Sequence, residues 1–202
     1  MNIKSDFDYL VKLALLGDPS VGKTNIVIRF VDHTFSLNTT STIGYDYKSK
    51  KISIGKEKLF LQIWDTAGQE RYMALNKTIL QKADGIMLVY DISQRETFNN
   101  IQKWIDIIKE HNDKLPIILI GNKTDKKDER IVDILEGKKL AEDHNITFLE
   151  TSALNGENID KAFINFSNIV LDFLKNKVKK VDDCFSLNSK ISQNKKKKKK
   201  CC

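Results

Sequence analysis

The sequence has few cysteines, and they are absent from most of the chain. All three cysteines among the 202 residues, Cys184, Cys201 and Cys202, lie within the last twenty positions. A disulfide framework that holds a small secreted domain together is therefore excluded.

Long apolar runs are also missing. No stretch of about 18 apolar residues is present, which excludes a membrane-spanning helix. Residues 1–6 lack the apolar core of a secretory signal, and Asn2 stands where N-myristoylation requires glycine. We therefore expect a cytosolic protein. The hydrophobic content of 41% suffices for one domain with a sizeable core.

The positive charge is concentrated at one end of the chain. The formal net charge is +7 at pH 7. Residues 175–202 contain eleven lysines and two aspartates, a net of +9, which leaves −2 for the other residues. A globular nucleic-acid-binding domain usually carries its excess positive charge on its folded surface. The distribution argues against that class and favours a basic tail that meets an anionic surface.

One glycine-rich stretch follows an apolar strand and precedes a helix. It fits the phosphate-binding pattern G-x-x-x-x-G-K-[ST], in which backbone N–H groups and a helix N-terminus converge on an anion. Lys23 is predicted to reach the β- and γ-phosphates, and the Thr24 hydroxyl to hold Mg²⁺. The alternative is a glycine-rich turn that matches by chance, which the flanking elements and later motifs disfavour. The residues of this phosphate loop are Gly17, Asp18, Pro19, Ser20, Val21, Gly22, Lys23 and Thr24.

Strand and helix patterns alternate along the chain. The pattern predicts strands at 10–16, 47–54, 59–64, 85–90, 116–120 and 147–150, and helices at 25–30, 73–82, 94–111, 133–144 and 158–175. The second and third strands form a hairpin, and Trp104 is predicted to join the core. The fold class is therefore α/β, a doubly wound, mostly parallel six-stranded sheet with one antiparallel strand.

A second motif follows the third predicted strand, at the edge of the sheet where ligands bind in such folds. Asp65 stands where a Walker-B carboxylate reaches Mg²⁺ through water. Gly68 offers a backbone N–H at the γ-phosphate, and Gln69 is placed to orient an attacking water. For Gln69 the alternative is a solvated loop side chain.

A third motif predicts a guanine site. It reads N-K-x-D and consists of Asn122, Lys123, Thr124 and Asp125. The Asp125 carboxylate can accept from N1–H and the exocyclic amine of guanine, a donor pair that adenine lacks. Lys123 would lay its aliphatic stem along the base, and the Ser152–Ala153 loop would supply a backbone N–H to guanine O6. The alternative places Asp125 in an ordinary polar run.

Together these motifs resemble the small GTPases of the Ras superfamily. The resemblance spans about residues 10–176 and rests on segments 17–24, 42–44, 64–70, 122–125 and 150–153. Segments 61–64 and 88–93 and the Cys201-Cys202 ending are similar to the Rab branch. It implies a P-loop NTPase (small G-protein) fold. Residues 1–176 would form the GTPase domain, and residues 177–202 a disordered lysine-rich tail.

The resemblance also implies the ligands and their residues. The chain would bind GTP or GDP with Mg²⁺ and hydrolyse GTP to GDP and phosphate slowly, with Gln69 as the catalytic residue. Thr42 would complete the Mg²⁺ coordination by Thr24 and Asp65 when the γ-phosphate is present. Phe35 would pack against the guanine. Residues 32–47 and 66–82 would be the two switches.

The sequence departs from the Rab pattern in three places. Tyr45 and Tyr47 replace the usual Val and Phe, and residues 79–83 read Ile-Leu-Gln-Lys-Ala in place of Tyr-Tyr-Arg-Gly-Ala. We expect both segments to contact partners. Pro19 replaces a small residue beside the γ-phosphate, removes an N–H and fills space near Gln69. The alternative function is a GTP-loaded membrane scaffold with negligible hydrolysis.

The ending resembles the Rab terminus that carries two geranylgeranyl groups. Lys195–Lys200 precede Cys201 and Cys202, and each lysine adds about 1 kcal/mol of attraction to an anionic leaflet. The resemblance implies a monomer anchored to the cytoplasmic face of an endomembrane, cycling with the cytosol. Its implied partners are an exchange factor, an activating protein, an escort protein or dissociation inhibitor, and effectors in vesicle traffic, with no nucleic acid. The alternatives for the lysines are a solvated end or a nuclear-type basic run.

Overall fold

The computed structural model of the protein describes residues 6–36, 42–68 and 73–177, and for residues 73–76 it describes the backbone alone. Gln69 and the chain from residue 178 onward, including both terminal cysteines, lie outside the described residues. Within them, no helix is both long and apolar enough to cross a lipid bilayer.

Six strands form one sheet in the order β2-β3-β1-β4-β5-β6. The β2 and β3 strands are antiparallel, and every other neighbouring pair is parallel. The predicted fold class is confirmed, and strand ends shift by at most two residues. The strands are β1 (Tyr9–Leu16), β2 (Tyr45–Ile54), β3 (Glu57–Thr66), β4 (Gly85–Asp91), β5 (Ile117–Asn122) and β6 (Thr147–Thr151).

Six helices flank the sheet in the described residues, together with a short 3₁₀ turn at Lys127–Glu129. The helices are α1 (Lys23–Asp32), α2 (Met73–Lys82), α3 (Arg95–Asn99), α4 (Ile101–His111), α5 (Ile134–His144) and α6 (residues 159–177).

The single helix predicted over 94–111 is wrong in one respect, because α3 and α4 meet at Asn100. Its backbone angles, φ −75° and ψ −10°, are shallower in ψ than those of an α-helix. Its N–H still donates to the Glu96 carbonyl oxygen at 3.0 Å, and its carbonyl accepts from the Trp104 N–H. The interruption is therefore slight. No proline or glycine marks it in the sequence.

The sheet separates two hydrophobic cores, one on each of its faces, and its central strand β1 contributes to both. In β1, Leu13 and Leu15 face the core that contains α1 and α6, and Ala14 and Leu16 face the core that contains α4. Trp104 is buried in the second core, as predicted. Burial on both faces explains why β1, β4 and β5 read as continuous apolar runs rather than alternating ones.

The expectation that residues 79–83 contact partners is wrong for part of the segment. Ile79, Leu80 and Ala83 are buried in the second core, because α2 turns this face toward the sheet and α4. Residues 81 and 82 are exposed. Residues 79–83 differ from the Rab pattern, but that comparison does not show which of them are exposed. The helical periodicity decides which side chains solvent can reach.

The α6 helix runs from the end of the sheet where the parallel strands terminate to the end where they begin. It follows the carboxyl end of β6, and near its own end Lys175 pairs with Glu57 at 2.9 Å. Glu57 begins β3, and the Lys175 ammonium also lies 5.4 Å from the ring centroid of Tyr9, which begins β1. The described chain therefore ends on the side opposite the carboxyl ends of the parallel strands.

The N-terminus of α5 is closed by a reciprocal cap. The Asp133 carboxylate accepts from the Leu135 N–H at 2.7 Å, and the Glu136 carboxylate accepts from the Asp133 N–H at 3.0 Å. We predict that Asp133→Ala lowers the free energy of unfolding by about 1 kcal/mol, because helix N–H groups lose their acceptor. Urea denaturation in one buffer measures it. Asp128→Ala, on the exposed turn before α5, is the control, and an equal loss in both variants would contradict the prediction.

Candidate functional site

The phosphate loop begins where only glycine fits. Gly17 follows β1 with a φ of 135°, and a Cβ atom there would lie 2.1 Å from the Val89 carbonyl oxygen in β4. A left-handed backbone and a close approach to another strand both require glycine. The loop is therefore set directly against the sheet at the carboxyl ends of β1 and β4.

Lys23 is a buried cation at the centre of this loop. Its ammonium donates to the carbonyl oxygens of Gly17 at 2.8 Å and Asp18 at 2.7 Å, and the residue is 6% exposed. Burial lowers the pKa of Lys23 to about 8, while the charges of Asp65 and Asp18 act in the opposite direction. A cation with so little solvent is suited to an anionic ligand.

Most of the predicted site residues line one pocket of about 420 Å³, a size typical of a small-molecule site. Gly17, Asp18, Val21, Asp65 and Ser152 are not on its wall and act through neighbours or from behind it. The predicted residues on the wall are Pro19, Ser20, Gly22, Lys23, Thr24, Phe35, Thr42, Gly68, Asn122, Lys123, Asp125 and Ala153.

The three predicted Mg²⁺ ligands lie together beside this pocket. The Thr24 hydroxyl donates to Asp65 Oδ2 at 2.6 Å, and the Thr42 hydroxyl lies 3.1 Å from that of Thr24 and 3.4 Å from Asp65 Oδ2. Burial raises the pKa of Asp65, and the hydrogen bond from Thr24 opposes the shift.

The donor set fits Mg²⁺. The second carboxylate oxygen of Asp65, Oδ1, is buried without a hydrogen-bond partner among the described residues. An all-oxygen set of one carboxylate and two hydroxyls is the kind of site that Mg²⁺ prefers. The described part of the chain has no cluster of three His, Cys, Asp or Glu side chains that could hold a metal. This site therefore depends on its two threonines.

The guanine motif is tied to the phosphate loop by side chains. The Asn122 amide donates to the Val21 carbonyl oxygen at 2.9 Å, and the Lys123 ammonium donates to the Ser20 carbonyl oxygen at 2.8 Å. The same ammonium lies 2.6 Å from the buried carboxylate of Asp91. Both motif residues thus hold the loop in place.

The predicted base-reading residues also meet. The Ser152 hydroxyl donates to Asp125 Oδ1 in a short hydrogen bond, although 27 residues separate them. Asp125 lines the pocket while Ser152 holds it from behind. The structure thus brings together two of the loops assigned to the base.

Arg29 is a residue that sequence reasoning missed. On α1, it donates through Nε to the Ala153 carbonyl oxygen at 2.8 Å and through Nη2 to that of Leu154 at 2.5 Å. Its guanidinium carbon lies 6.0 Å from the Phe35 ring centroid. Arg29 therefore joins the wall formed by Phe35 to the loop of Ala153. The contacts span more than 120 residues, so no local pattern could show them.

Asp91 and Glu157 were also missed. Asp91 ends β4 and pairs with Lys123, and Glu157 accepts from the Thr124 hydroxyl at 2.7 Å. A signal existed for Asp91, because it follows directly after an apolar run, as Asp65 does in β3. The sequence offers no comparable signal for Glu157.

Gly68 and the phosphate loop touch through their backbones. A Cβ atom on Gly68 would lie 2.4 Å from both the Asp18 carbonyl carbon and the Pro19 nitrogen. Ser20, next in the loop, holds a φ of 62°, which costs a non-glycine residue about 1 kcal/mol or more. The crowding predicted for Pro19 and Gln69 stays a prediction, since Gln69 lies outside the described residues.

The comparisons agree with this geometry. Residues 12–172 match the model of the Ras family. The chain belongs to the Ras family. Over 180 residues it is 41% identical to Ras-related protein Rab-11B of Dictyostelium discoideum, covering 88% of this chain and 81% of that protein. It is 44% identical over 180 residues to Ras-related protein Rab-10 of Diplobatis ommata, covering 89% of each. The resemblance to Rab-family small GTPases is thus confirmed.

We predict that Arg29→Met in this Rab-family chain raises the dissociation rates of GDP and of a GTP analogue alike, by about tenfold, because charge-assisted hydrogen bonds to the base-side loop are lost. Stopped-flow displacement of a fluorescent nucleotide measures both rates. Lys139→Met, which removes an exposed cation from α5, is the matched control and should leave both rates unchanged. Unchanged rates for Arg29→Met would contradict the prediction and show that the loop of Ala153 and Leu154 keeps its position without Arg29.

Proposed function

We propose that this Rab-family chain is a guanine-nucleotide switch that hydrolyses GTP slowly and regulates vesicle and membrane traffic through GTP-dependent effectors. The convergence of Thr24, Thr42 and Asp65 within 3.4 Å carries the proposal. These residues come from three separate segments, and Thr42 belongs to the stretch proposed to respond to the γ-phosphate. A site that closes in this way around a third phosphate can report which nucleotide is bound.

Different residues of the pocket are proposed to bind the phosphates and the base. Lys23 faces the phosphates, and the Gly68 N–H is placed beside the γ-phosphate. Asp125, held by Ser152, accepts from the guanine donors, and Lys123 lies beside it with its ammonium fixed by Asp91. Phe35 forms the remaining wall.

The hydroxyls and carboxylate described above would hold Mg²⁺, which supplies neutralisation of the charge that develops on the phosphates. Gln69 is proposed to orient the attacking water. No step requires covalent chemistry by the protein, so positioning alone makes a slow enzyme that a partner can accelerate. An activating protein and an exchange factor complete the cycle.

An exposed apolar strip offers a surface for effectors. Ile43 is 82% exposed, Tyr45 52% and Tyr47 43%, and all three lie next to Thr42 or on the edge strand β2. Large exposed apolar side chains that adjoin a nucleotide-responsive segment favour a partner that reads the bound nucleotide. Tyr45 and Tyr47 replace the Val and Phe of the Rab pattern. We therefore expect the effectors to differ from those of proteins that keep that pattern.

Membrane attachment is proposed from the sequence of the tail. Two geranylgeranyl groups on Cys201 and Cys202 would supply the two-chain anchor that stable attachment needs, and Lys195–Lys200 would add attraction to an anionic leaflet. An escort protein or dissociation inhibitor would shield these lipids during return to the cytosol.

The second candidate is a GTP-loaded scaffold that does not hydrolyse. Pro19 lines the pocket, and its nitrogen lies so close to Gly68 that the space for a neighbouring side chain is small. A ring at this position could hold the attacking water away from the γ-phosphate.

Nucleotide content and single-turnover hydrolysis of the purified protein test the proposal. We predict bound guanine nucleotide and a GTP decay of about 10⁻³ s⁻¹ or slower, which Gln69→Leu slows by at least tenfold. No decay in the wild type, with decay restored by Pro19→Ser, would instead establish the scaffold. Bound adenine nucleotide, or none, would remove the basis of both readings.

Replacing one carboxylate oxygen of Asp125 with an amide nitrogen tests the base site. We predict that Asp125→Asn lowers GDP affinity by at least about a hundredfold and creates binding of xanthosine diphosphate, because an N–H donor then faces the base where a carboxylate accepted. Oδ1 remains to accept from Ser152. Equilibrium titration measures both affinities, and Asp143→Asn on the exposed face of α5 is the control. Unchanged GDP affinity would place the base elsewhere.

A further inference from the structure

The Asp18 side chain points away from the nucleotide pocket and is held by the helices on the far side of the phosphate loop. Its Oδ2 accepts from the Asn100 amide at 2.7 Å, and its Oδ1 accepts from the Trp104 indole N–H at 2.8 Å. Both carboxylate oxygens therefore have a donor. The donors are the residue that joins α3 to α4 and a residue in the first turn of α4.

The backbone of Asp18 meets the two groups that face the γ-phosphate. Its carbonyl oxygen accepts from the Lys23 ammonium at 2.7 Å. Its carbonyl carbon is also the atom that a Cβ on Gly68 would strike at 2.4 Å. One residue thus stands between α4 on one side and Lys23 and Gly68 on the other.

On the α4 side, Asp18 supplies the side-chain hydrogen bonds of this part of the loop, while on the base side Lys123 donates to the Ser20 carbonyl oxygen. Pro19 has no N–H to donate, and Ser20 holds a left-handed backbone angle that its side chain disfavours. A carboxylate with two direct donors is a strong and directional restraint. The side-chain contacts of Asp18 are therefore suited to hold this part of the loop in place.

We propose that Asp18 is a positioning residue that anchors the γ-phosphate side of the pocket to α4 and thereby supports the binding of GTP more than that of GDP. The inference rests on the proposed function and deepens it. Asp18 itself was expected to bind the nucleotide as part of the loop motif, whereas its side chain acts through Lys23 and Gly68.

The base side of the pocket is held separately. Arg29 fixes the Ala153 and Leu154 carbonyls from α1, and within the described residues its hydrogen bonds go to neither Asp18 nor α4. Loss of an anchor on the base side should therefore weaken GDP and GTP equally. Loss of the anchor at Asp18 should weaken GTP more, because Lys23 is assigned to the β-phosphate of both nucleotides as well as to the γ-phosphate, whereas Gly68 is assigned to the γ-phosphate of GTP alone.

Dissociation rates of GDP and of a non-hydrolysable GTP analogue, measured on the full chain with Mg²⁺, separate these cases. Trp104→Phe keeps an aromatic ring in the core but removes the N–H, and Asp18→Asn keeps the shape but removes one acceptor. For both variants we expect the GTP analogue to dissociate about three- to tenfold faster, with GDP changed less than about twofold.

Arg29→Met is the comparison variant, since it should raise both rates together. Equal acceleration of GDP and the GTP analogue in Trp104→Phe and Asp18→Asn, or no change in either, would overturn the inference. If Trp104→Phe fails to fold, Asp18→Asn alone decides. Failure of the wild-type chain to bind either nucleotide would overturn the proposed function together with the inference, whereas equal acceleration leaves the proposed function standing.

Discussion

The rest of the site depends on the hydrogen bonds between the buried Lys23 ammonium and the phosphate loop. A cation removed from water needs partners, and here the loop wraps around it so that two backbone carbonyls accept from it. Asp65, buried nearby, keeps one oxygen without a partner in the described structure. One buried positive and one buried negative group, neither fully solvated, favour a ligand that brings an anion and a cation together. A magnesium–nucleotide complex has this composition.

Much of the fold could be predicted because parallel strands buried on both faces leave continuous apolar runs, and because the motifs sit where those runs end. The convergence of Thr24 with Asp65 was predicted from the phosphate-loop and Walker-B motifs, which follow two of the predicted strands. The break at Asn100 could not be predicted, since its cause is a shallow backbone angle with no glycine or proline. Nor could Arg29, because periodicity identifies apolar faces but does not show which distant polar groups meet. The burial of Ile79 and Leu80 follows from helical spacing, whereas comparison with the Rab pattern does not indicate it.

The pocket is held in place by restraints from several parts of the fold. The phosphate loop is set against β4 at Gly17, tied to α4 through Asp18, and held to the guanine motif by Asn122. Each restraint comes from a different element of a rigid sheet and its helices. These restraints hold Ser20 in its left-handed backbone conformation, which costs a non-glycine residue about 1 kcal/mol or more.

The path of α6 has a consequence for how the molecule is presented. Because Lys175 reaches Glu57 at the start of β3, the described chain ends at the edge of the sheet opposite the pocket. In the proposed membrane-attached form, the tether would begin at the end of the sheet opposite the pocket and the exposed Tyr45. Large proteins could then approach the nucleotide side from bulk solvent. The path of α6 would thus place the proposed attachment and the proposed recognition at opposite ends of the sheet.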